Sequence, residues 1–352
     1  ATACSTHVSG WSKSHADDRR DSLPTPAPVG SALDLEEGIV SAPSTPETSA
    51  IGNRASLDRK TLERTGKPRT YLGMAWRRFR HNKLAMTGLF VVVLMIVLAL
   101  SAGLISEYVT KYTPEDQSLR DKFAGFNESG YLLGSDELGR DTATRLVYGA
   151  RVSLAVAGLA VVAAITIGAI LGVVAGYYGG WIDTVLMRFV DMMLSIPTLF
   201  LLLLVASMFR LEAIQLALVI AAVSWVTLSR LVRGEVMSVK GRDYVEAARV
   251  VGVPDRRIMW RHILPNVTPV LIVWASLTIP GLILTEAALS YLGLGVQPPT
   301  PSWGNMLSQA QLSYTQSILV VLLPGLAMYL TVFAINLVGN GLRDALDPRL
   351  TE

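Results

Sequence analysis

Long stretches without a single ionisable side chain constrain this sequence more than any other feature. Leu84–Ser106, Val152–Ile182, Ala213–Ser229, Ile263–Leu284 and Ile318–Val338 contain no Asp, Glu, Lys or Arg. A hydrocarbon layer about 30 Å thick is crossed by about 20 mostly apolar residues in a helix, so each run is suited to span one. A sixth segment, Val185–Phe209, is equally apolar apart from Arg188 and Asp191, and carries Pro197 in its interior. The fold class expected is therefore an all-α integral membrane protein with six transmembrane helices. Hydrophobic residues make up 51% of the 352 residues, and they are clustered rather than dispersed as in a soluble domain.

The remaining segments order themselves around these spans. Residues 1–70 are rich in Ser, Thr, Pro, Asp and Glu, with PTPAP at Pro24–Pro28 and SAPSTPETSA at Ser41–Ala50. Such a segment buries too little apolar surface to offset its ordering entropy, so it is expected to be a disordered cytoplasmic tail. Residues 71–106 form the N-terminal region and first span, 107–151 an extracytoplasmic loop with an amphipathic helix, 152–340 the transmembrane core, and 341–352 a cytoplasmic C-terminal end. Arg77, Arg78, Arg80 and Lys83 precede the first span with no acid among them, which holds that flank in the cytoplasm, and six spans return the C-terminus to the same side. Arg230, Arg233, Lys240, Arg242, Arg249, Arg256, Arg257 and Arg261 fall in the polar insert between the fourth and fifth spans, whereas Thr285–Tyr314 has no Lys or Arg. The first outer loop is mixed in charge rather than basic.

Composition also excludes functions. The formal charge of +3 comes with basic residues crowded beside apolar runs, where they fix topology, so nucleic acid is not an expected partner. Cys4 is the sole cysteine, which leaves neither an intrachain disulfide nor a thiolate metal cluster. Gly66-Lys67 is followed by Pro68 and lacks the first glycine of a phosphate-binding loop, and His7, His15, His81 and His262 make no paired metal motif. No cofactor or metal is expected on this chain, nor catalysis by it alone.

Within the insert at 230–265, Asp243 and Glu246 have the spacing of a capping box at a helix start. Tyr244, Ala247, Ala248 and Val251 follow at helical spacing and form a small, smooth face. Gly252 suits a helix end that needs positive φ, and Pro254 suits the start of a second helix through Asp255, Arg256, Arg257 and Trp260. Helix, sharp turn, helix is the local expectation. Helix capping and a basic membrane edge would account for the same residues without any partner.

Glu246-Ala247-Ala248, then Gly252, and later Leu264-Pro265 nevertheless resemble the EAA loop of ABC importer permeases, the cytoplasmic element that sits in a groove of the ATPase subunit. His262 stands where that pattern usually has isoleucine. Two further segments are similar to the C-type permeases of dipeptide, oligopeptide and nickel importers. Leu133–Leu154 reads as a turn-rich piece followed by an amphipathic helix from about Asp141, with Arg145 and Arg151 at its water-facing edge. Thr285–Leu307 reads as a rigid outer cap, broken by Gly293 and Gly295 and kept extended by Pro298, Pro299 and Pro301, with Trp303 as an interfacial anchor. The resemblance covers roughly 75–348.

What the resemblance implies is a type I ABC importer permease fold with cytoplasmic coupling helices, in the plasma (inner) membrane. The expected partners are a homologous second permease forming a heterodimer, two ATPase subunits that carry ATP and Mg, an extracytoplasmic substrate-binding protein, a peptide substrate and membrane lipid. Glu246, Ala247, Ala248, Gly252, Arg256, Arg257, Leu264 and Pro265 are the expected ATPase-coupling residues. Asp136, Arg140, Asp141, Arg145 and Arg151 belong to the loop expected to face the binding protein. Glu286, charged at the outer end of the fifth span, is a candidate for the translocation path, for capping the helix break, or for contact with the partner permease. Arg188 and Asp191 are expected to pair one turn apart at the cytoplasmic edge. Gly168, Gly172 and Gly176 leave one helix face bare for close packing. The substrate alternatives are nickel chelates and glutathione-like solutes, and the rival class is an ion-coupled secondary transporter.

Overall fold

A computed structural model describes residues 71–347 of the chain. By internal contacts the chain divides into residues 1–66 and residues 67–352, and all described residues lie in the second unit. The expected tail and residues 348–352 lie outside the described residues.

The described residues contain helices and loops and no strand longer than an isolated bridge. An amphipathic helix α1 (Tyr71–His81) leads into the apolar α2 (Lys83–Leu100), whose start is capped by Asn82 accepting from the Ala85 N–H at 3.1 Å. A short turn and a π-helical stretch, Ile105–Thr110, end it at Lys111, which has φ +61°. The long α3 (Thr142–Tyr178) follows the loop and stops at Gly179, where Gly179 and Gly180 both have positive φ and turn the chain into α4 (Gly180–Ser195). Next come α5 (Thr198–Met208), α6 (Ala213–Lys240), α7 (Asp243–Val250) and the single turn α8 (Asp255–Ile258). A π-helical turn, Met259–Ile263, continues α8 into α9 (Leu264–Tyr291), and α10 (Trp303–Ala310) and α11 (Leu319–Leu346) complete the order.

Five helices are long and apolar enough to cross a membrane, and a sixth crossing is made if α4 and α5, bent by 81°, count as one span. Pro197 sits at that bend, where its missing N–H and fixed φ interrupt the helix. The protein is thus an all-α membrane protein of the expected class.

α3 is the central element, flanked by α2, α6 and α9. The bare stripe of α3 meets α6: a Cβ on Gly168 would lie 3.0 Å from the Trp225 carbonyl oxygen, and one on Gly176 would lie 2.9 Å from that of Arg233. Glycine lets the two backbones approach this closely, and dispersion contacts replace the side chains. Two apolar clusters divide the core along α3. One gathers Val156, Ala160, Leu216, Ile220, Ile283, Leu289 and Trp303 near its start, and the other gathers Val173, Tyr177, Val232, Val236, Val245, Ile258 and Ile263 near its end. A third, smaller cluster ties Ala75 and Phe79 of α1 to Ala345 and Leu346 of α11.

Two ion pairs fasten α4 to α6. Arg233 holds the Asp183 carboxylate with two nitrogens, and Arg230 meets Asp191. Asp191 therefore pairs across helices with Arg230 and not, as its spacing predicts, with Arg188. On one helix two side chains a turn apart can meet, but the guanidinium from α6 reaches the same carboxylate without bending back along its own helix.

Candidate functional site

The polar insert folds as helix, turn, helix. Its first helix starts differently from the sequence expectation. The extended residue before it is Arg242, whose carbonyl accepts from the N–H groups of Val245 (2.9 Å) and Glu246 (3.2 Å), and no side chain caps the end. Asp243 and Glu246 lie within the first turn instead, where carboxylates are favoured by the exposed N–H groups and the helix dipole.

The end of α7 is a Schellman motif, with Gly252 at φ +83°. Its N–H donates to the Arg249 carbonyl (2.9 Å), and the Val253 N–H donates to that of Ala248 (3.0 Å). Pro254 then opens α8, and the rings of Tyr244 and His262 lie 6.4 Å apart across the turn.

Burial gives this insert two unlike surfaces. Val245 and Ile258 are both at 0% exposure and anchor it in the lower core, while Val250 and Val251, at 88% and 82%, are exposed, as is Tyr244. Glu246, Ala247, Gly252, Arg256, Arg257 and Pro265 are exposed, and Ala248 and Leu264 half-buried. The structure therefore brings the expected coupling residues of α7 and α8 onto one presented element with the apolar pair Val250-Val251 at its turn. Helical spacing identifies Val251. Val250 was missed, and the available signal is an apolar pair directly before a turn glycine in an otherwise polar insert.

At the opposite end of α3 lies a second constellation. Asp141 caps α3, accepting from the Thr144 N–H at 2.7 Å. The Arg140 guanidinium donates to the Asp136 carboxylate (2.7 Å) and to the Gln309 side-chain oxygen (2.9 Å), and Arg145 donates to that same oxygen (3.1 Å) and to the Pro114 carbonyl (3.3 Å). Ser313 donates to Glu137 at 2.9 Å. Arg145 is also 3.4 Å from Asp136. Loop 111–141 and the segment carrying α10 are thus joined by buried polar contacts. Nearby, Tyr131 stacks on Tyr112 at 4.8 Å, and burial together with Tyr112 and Asp121 raises its phenol above the ordinary range.

Arg140, Asp141 and Arg145 are buried, Asp136 is half-buried, and Arg151 alone of the five expected loop residues is exposed. Arg145 is not at a water-facing edge. Its partners arrive from Pro114 and Gln309, far along the chain, and helical periodicity carries no trace of them.

Glu286 is at 0% exposure within the chain. Its two oxygens accept from Ser153 of α3 and Ser290 of α9, each at 2.8 Å. Each serine oxygen in turn accepts a backbone N–H of the cap, Trp303 (3.2 Å) and Val296 (3.2 Å). One carboxylate thereby organises α3, α9 and the chain between α9 and α10. Trp303, expected as an interfacial anchor, is fully buried and donates its ring N–H to the Leu146 carbonyl at 3.1 Å. Asn305 completes the cap by donating to the carbonyls of Thr300 (2.8 Å) and Val296 (3.1 Å). Among the described residues no group of His, Cys, Asp and Glu side chains is placed to hold a metal.

The chain is similar to known proteins over most of its length. Residues 164–352 match the family described as binding-protein-dependent transport system inner membrane component. Residues 70–127 match the N-terminal TM domain of oligopeptide transport permease C. An oligopeptide transport system permease protein of Haemophilus influenzae is 39% identical over 276 residues, covering 78% of this chain and 88% of the relative. A di/tripeptide transport system permease protein of Pseudomonas aeruginosa is 42% identical over 281 residues, covering 78% and 91%. A glutathione transport system permease protein of Pectobacterium atrosepticum is 39% identical over 275 residues, covering 78% and 90%.

Proposed function

Because the chain belongs to the binding-protein-dependent transport system inner membrane components, we propose that it is the permease subunit of an ATP-driven ABC importer that takes di- and oligopeptides across the inner membrane. The observation that carries this reading is the two-sided insert. Val245 and Ile258 fix α7 and α8 to the transmembrane core, while Val250, Val251 and Tyr244 are left in solvent. A small apolar surface flanked by Glu246, Arg256 and Arg257 suits a protein groove better than it suits water.

In this reading the insert is the coupling loop and faces the cytoplasm, as do both termini. Glu246 meets a basic residue of the ATPase groove, Ala247 and Ala248 allow close approach, and Gly252 sets the bend between the two helices. Leu264 and Pro265 lead the movement into α9. A homologous second permease completes the translocation path, and two ATPase subunits supply hydrolysis with their own ATP and Mg. Closure of the ATPases moves the coupling helices and shifts the permeases between inward- and outward-open states, a rigid-body transition driven by differential affinity for two arrangements. An extracytoplasmic binding protein docks at the end carrying loop 111–141 and α10. Arg151 is the member of the five candidates available to touch it, and Asp136, Arg140, Asp141 and Arg145 shape the platform from within.

Relatives named for di/tripeptide and oligopeptide transport support peptides as the substrate class, and the relative named for glutathione makes glutathione the second reading. The test is to express the chain with its partner subunits in cells lacking their own peptide permeases. Uptake of labelled di- and tripeptides, glutathione and nickel is then measured for the wild type and for Glu246→Ala. Peptide uptake abolished by Glu246→Ala is expected. Uptake of glutathione or nickel alone would replace the substrate, and ATP-independent uptake driven by an ion gradient would replace the class.

A further inference from the structure

The last turn of α3 carries a residue on which α6, α7 and α8 converge. Tyr177 is 3% exposed. Its hydroxyl donates to the Asp255 carboxylate at the start of α8, 2.5 Å away. The Arg249 guanidinium, from α7, lies over its ring at 5.0 Å from the centroid. Lys240, at the end of α6, donates to its backbone carbonyl and lies 5.7 Å from the same ring centroid. The ring itself belongs to the apolar cluster that receives Val245 and Ile258. Two residues further on, Gly179 and Gly180 turn the chain into α4, which Asp183 fastens to Arg233 of α6.

We propose that Tyr177 is a positioning residue for coupling: it joins both coupling helices to the central span, so that a displacement of α7 and α8 is delivered to α3 and to the corner at Gly179-Gly180. The inference rests on the reading of the insert as the ATPase-coupling loop and names the residue through which that loop acts. Three features set Tyr177 apart from ordinary packing. A buried phenol hydrogen-bonded to a carboxylate in a partly apolar site resists sliding, because separating the two leaves polar groups without partners. A guanidinium over an aromatic face adds an attraction that depends on the ring and not on the hydroxyl. The contacts come from α6, α7 and α8 at once, so no one of these elements moves without acting on the same side chain.

The chemistry divides into parts that substitutions separate. Tyr177→Phe keeps the ring, its volume and the face that Arg249 and Lys240 approach, but removes the hydroxyl with its bond to Asp255 and its contact with Arg249. Tyr177→Leu removes both. The measurement is made on the assembled importer in proteoliposomes: bound ATPase subunits, ATP hydrolysed, and peptide imported per ATP. Neither substitution touches the exposed surface of Val250, Val251 and Glu246, so ATPase binding is expected to stay at the wild-type level. The ATP consumed per imported peptide is expected to rise about twofold for Tyr177→Phe and severalfold for Tyr177→Leu. Asp255→Ala is expected to match Tyr177→Phe, and the double variant to be no worse than the weaker single one, because both remove the same bond. An unchanged ATP-to-peptide ratio in Tyr177→Phe with ATPases bound overturns the proposal and leaves Tyr177 as packing. Additive effects of Tyr177→Phe and Asp255→Ala overturn it as well. If the wild-type chain binds no ATPase, the reading of the coupling loop falls first, and the two failures are told apart by that measurement. Tyr177→Phe preserves volume, so the test does not hang on the folding of the leucine variant.

Discussion

Two glycines on α3, Gly172 and Gly158, are predicted to respond to the same substitution with opposite signs. A Cβ placed on Gly172 would lie 2.7 Å from the Ser229 carbonyl oxygen and 2.7 Å from Val232 Cβ, with Val232 Cγ1 at 2.8 Å. Comfortable separations for such atoms are about 3.5–4.0 Å, so Gly172→Ala demands that α3 and α6 part locally by about 0.8 Å or more. The obstacle includes backbone and a β-branched side chain, and neither swings aside. Overpacking of this kind costs about 1–3 kcal/mol. Against it stands the helix-propensity gain of alanine over glycine, about 0.5–1 kcal/mol. Gly172→Ala is therefore expected to lose about 1 kcal/mol at the middle of both ranges, and at most about 2.5 kcal/mol. Gly158 has nothing within 4 Å of an added Cβ, so Gly158→Ala keeps only the gain, about 0.5–1 kcal/mol. The assay is reversible unfolding of the purified subunit in mixed micelles, followed by tryptophan fluorescence during titration with a denaturing detergent. Midpoints shifted in opposite directions are expected. Equal stability of Gly172→Ala and the wild type, or shifts of the same sign for both variants, would refute the claim that α3 and α6 are held at glycine distance.

Other substitutions follow from the site geometry. Gly252→Ala places a Cβ in open space but at φ +83°, so it should cost about 1–2 kcal/mol through backbone strain alone, read as faster amide hydrogen exchange in α7 with the rest of the chain unchanged. Glu286→Ala leaves the hydroxyls of Ser153 and Ser290 without their acceptor and should destabilise by about 1–3 kcal/mol; Glu286→Gln, which retains an acceptor, should lose less in a thermal-unfolding comparison. Arg145→Ala should lose about 1–3 kcal/mol through its charged hydrogen bonds, short of the larger loss from an orphaned buried carboxylate because Asp136 keeps Arg140. Arg151→Ala, on an exposed side chain, should stay within about 0.5 kcal/mol in the same measurement and alter only binding-protein affinity.

The contrast between residues that could be read from the sequence and residues that could not has a physical origin. Gly168, Gly172 and Gly176 announced a packing face because their spacing matches the helix period, and a bare stripe on a membrane helix has few other uses. Gly252 was legible for a similar reason: a glycine followed by Val-Pro ends one helix and starts another through local backbone preferences alone. Arg145, Trp303 and Asp191 were placed wrongly. Their partners are Gln309, Leu146 and Arg230, each on a different element, and amphipathic spacing says which way a side chain points without saying what waits there. The capping box failed more narrowly. Helix α7 begins one residue earlier than the spacing implied, and its carboxylates act through the helix dipole rather than as caps. Tyr177 carried no signal, since a tyrosine near the end of an apolar run reads as an ordinary interfacial aromatic until α7 and α8 fold onto it.

The single oxygen of Gln309 that receives both Arg140 and Arg145 also sets the unit in which this subunit can be recombined with its relatives. A chimera that imports a foreign segment 111–141 while keeping its own α3 and α10 leaves Arg145 and Gln309 in place but replaces Arg140 and the Asp136 carboxylate that both guanidiniums meet. Exchange of 111–145 together with 296–313 transfers both guanidiniums with their acceptor, the Asp136 carboxylate and the Ser313 hydroxyl that meets Glu137. These two distant stretches behave as one graft, and engineering of this face has to treat them as such.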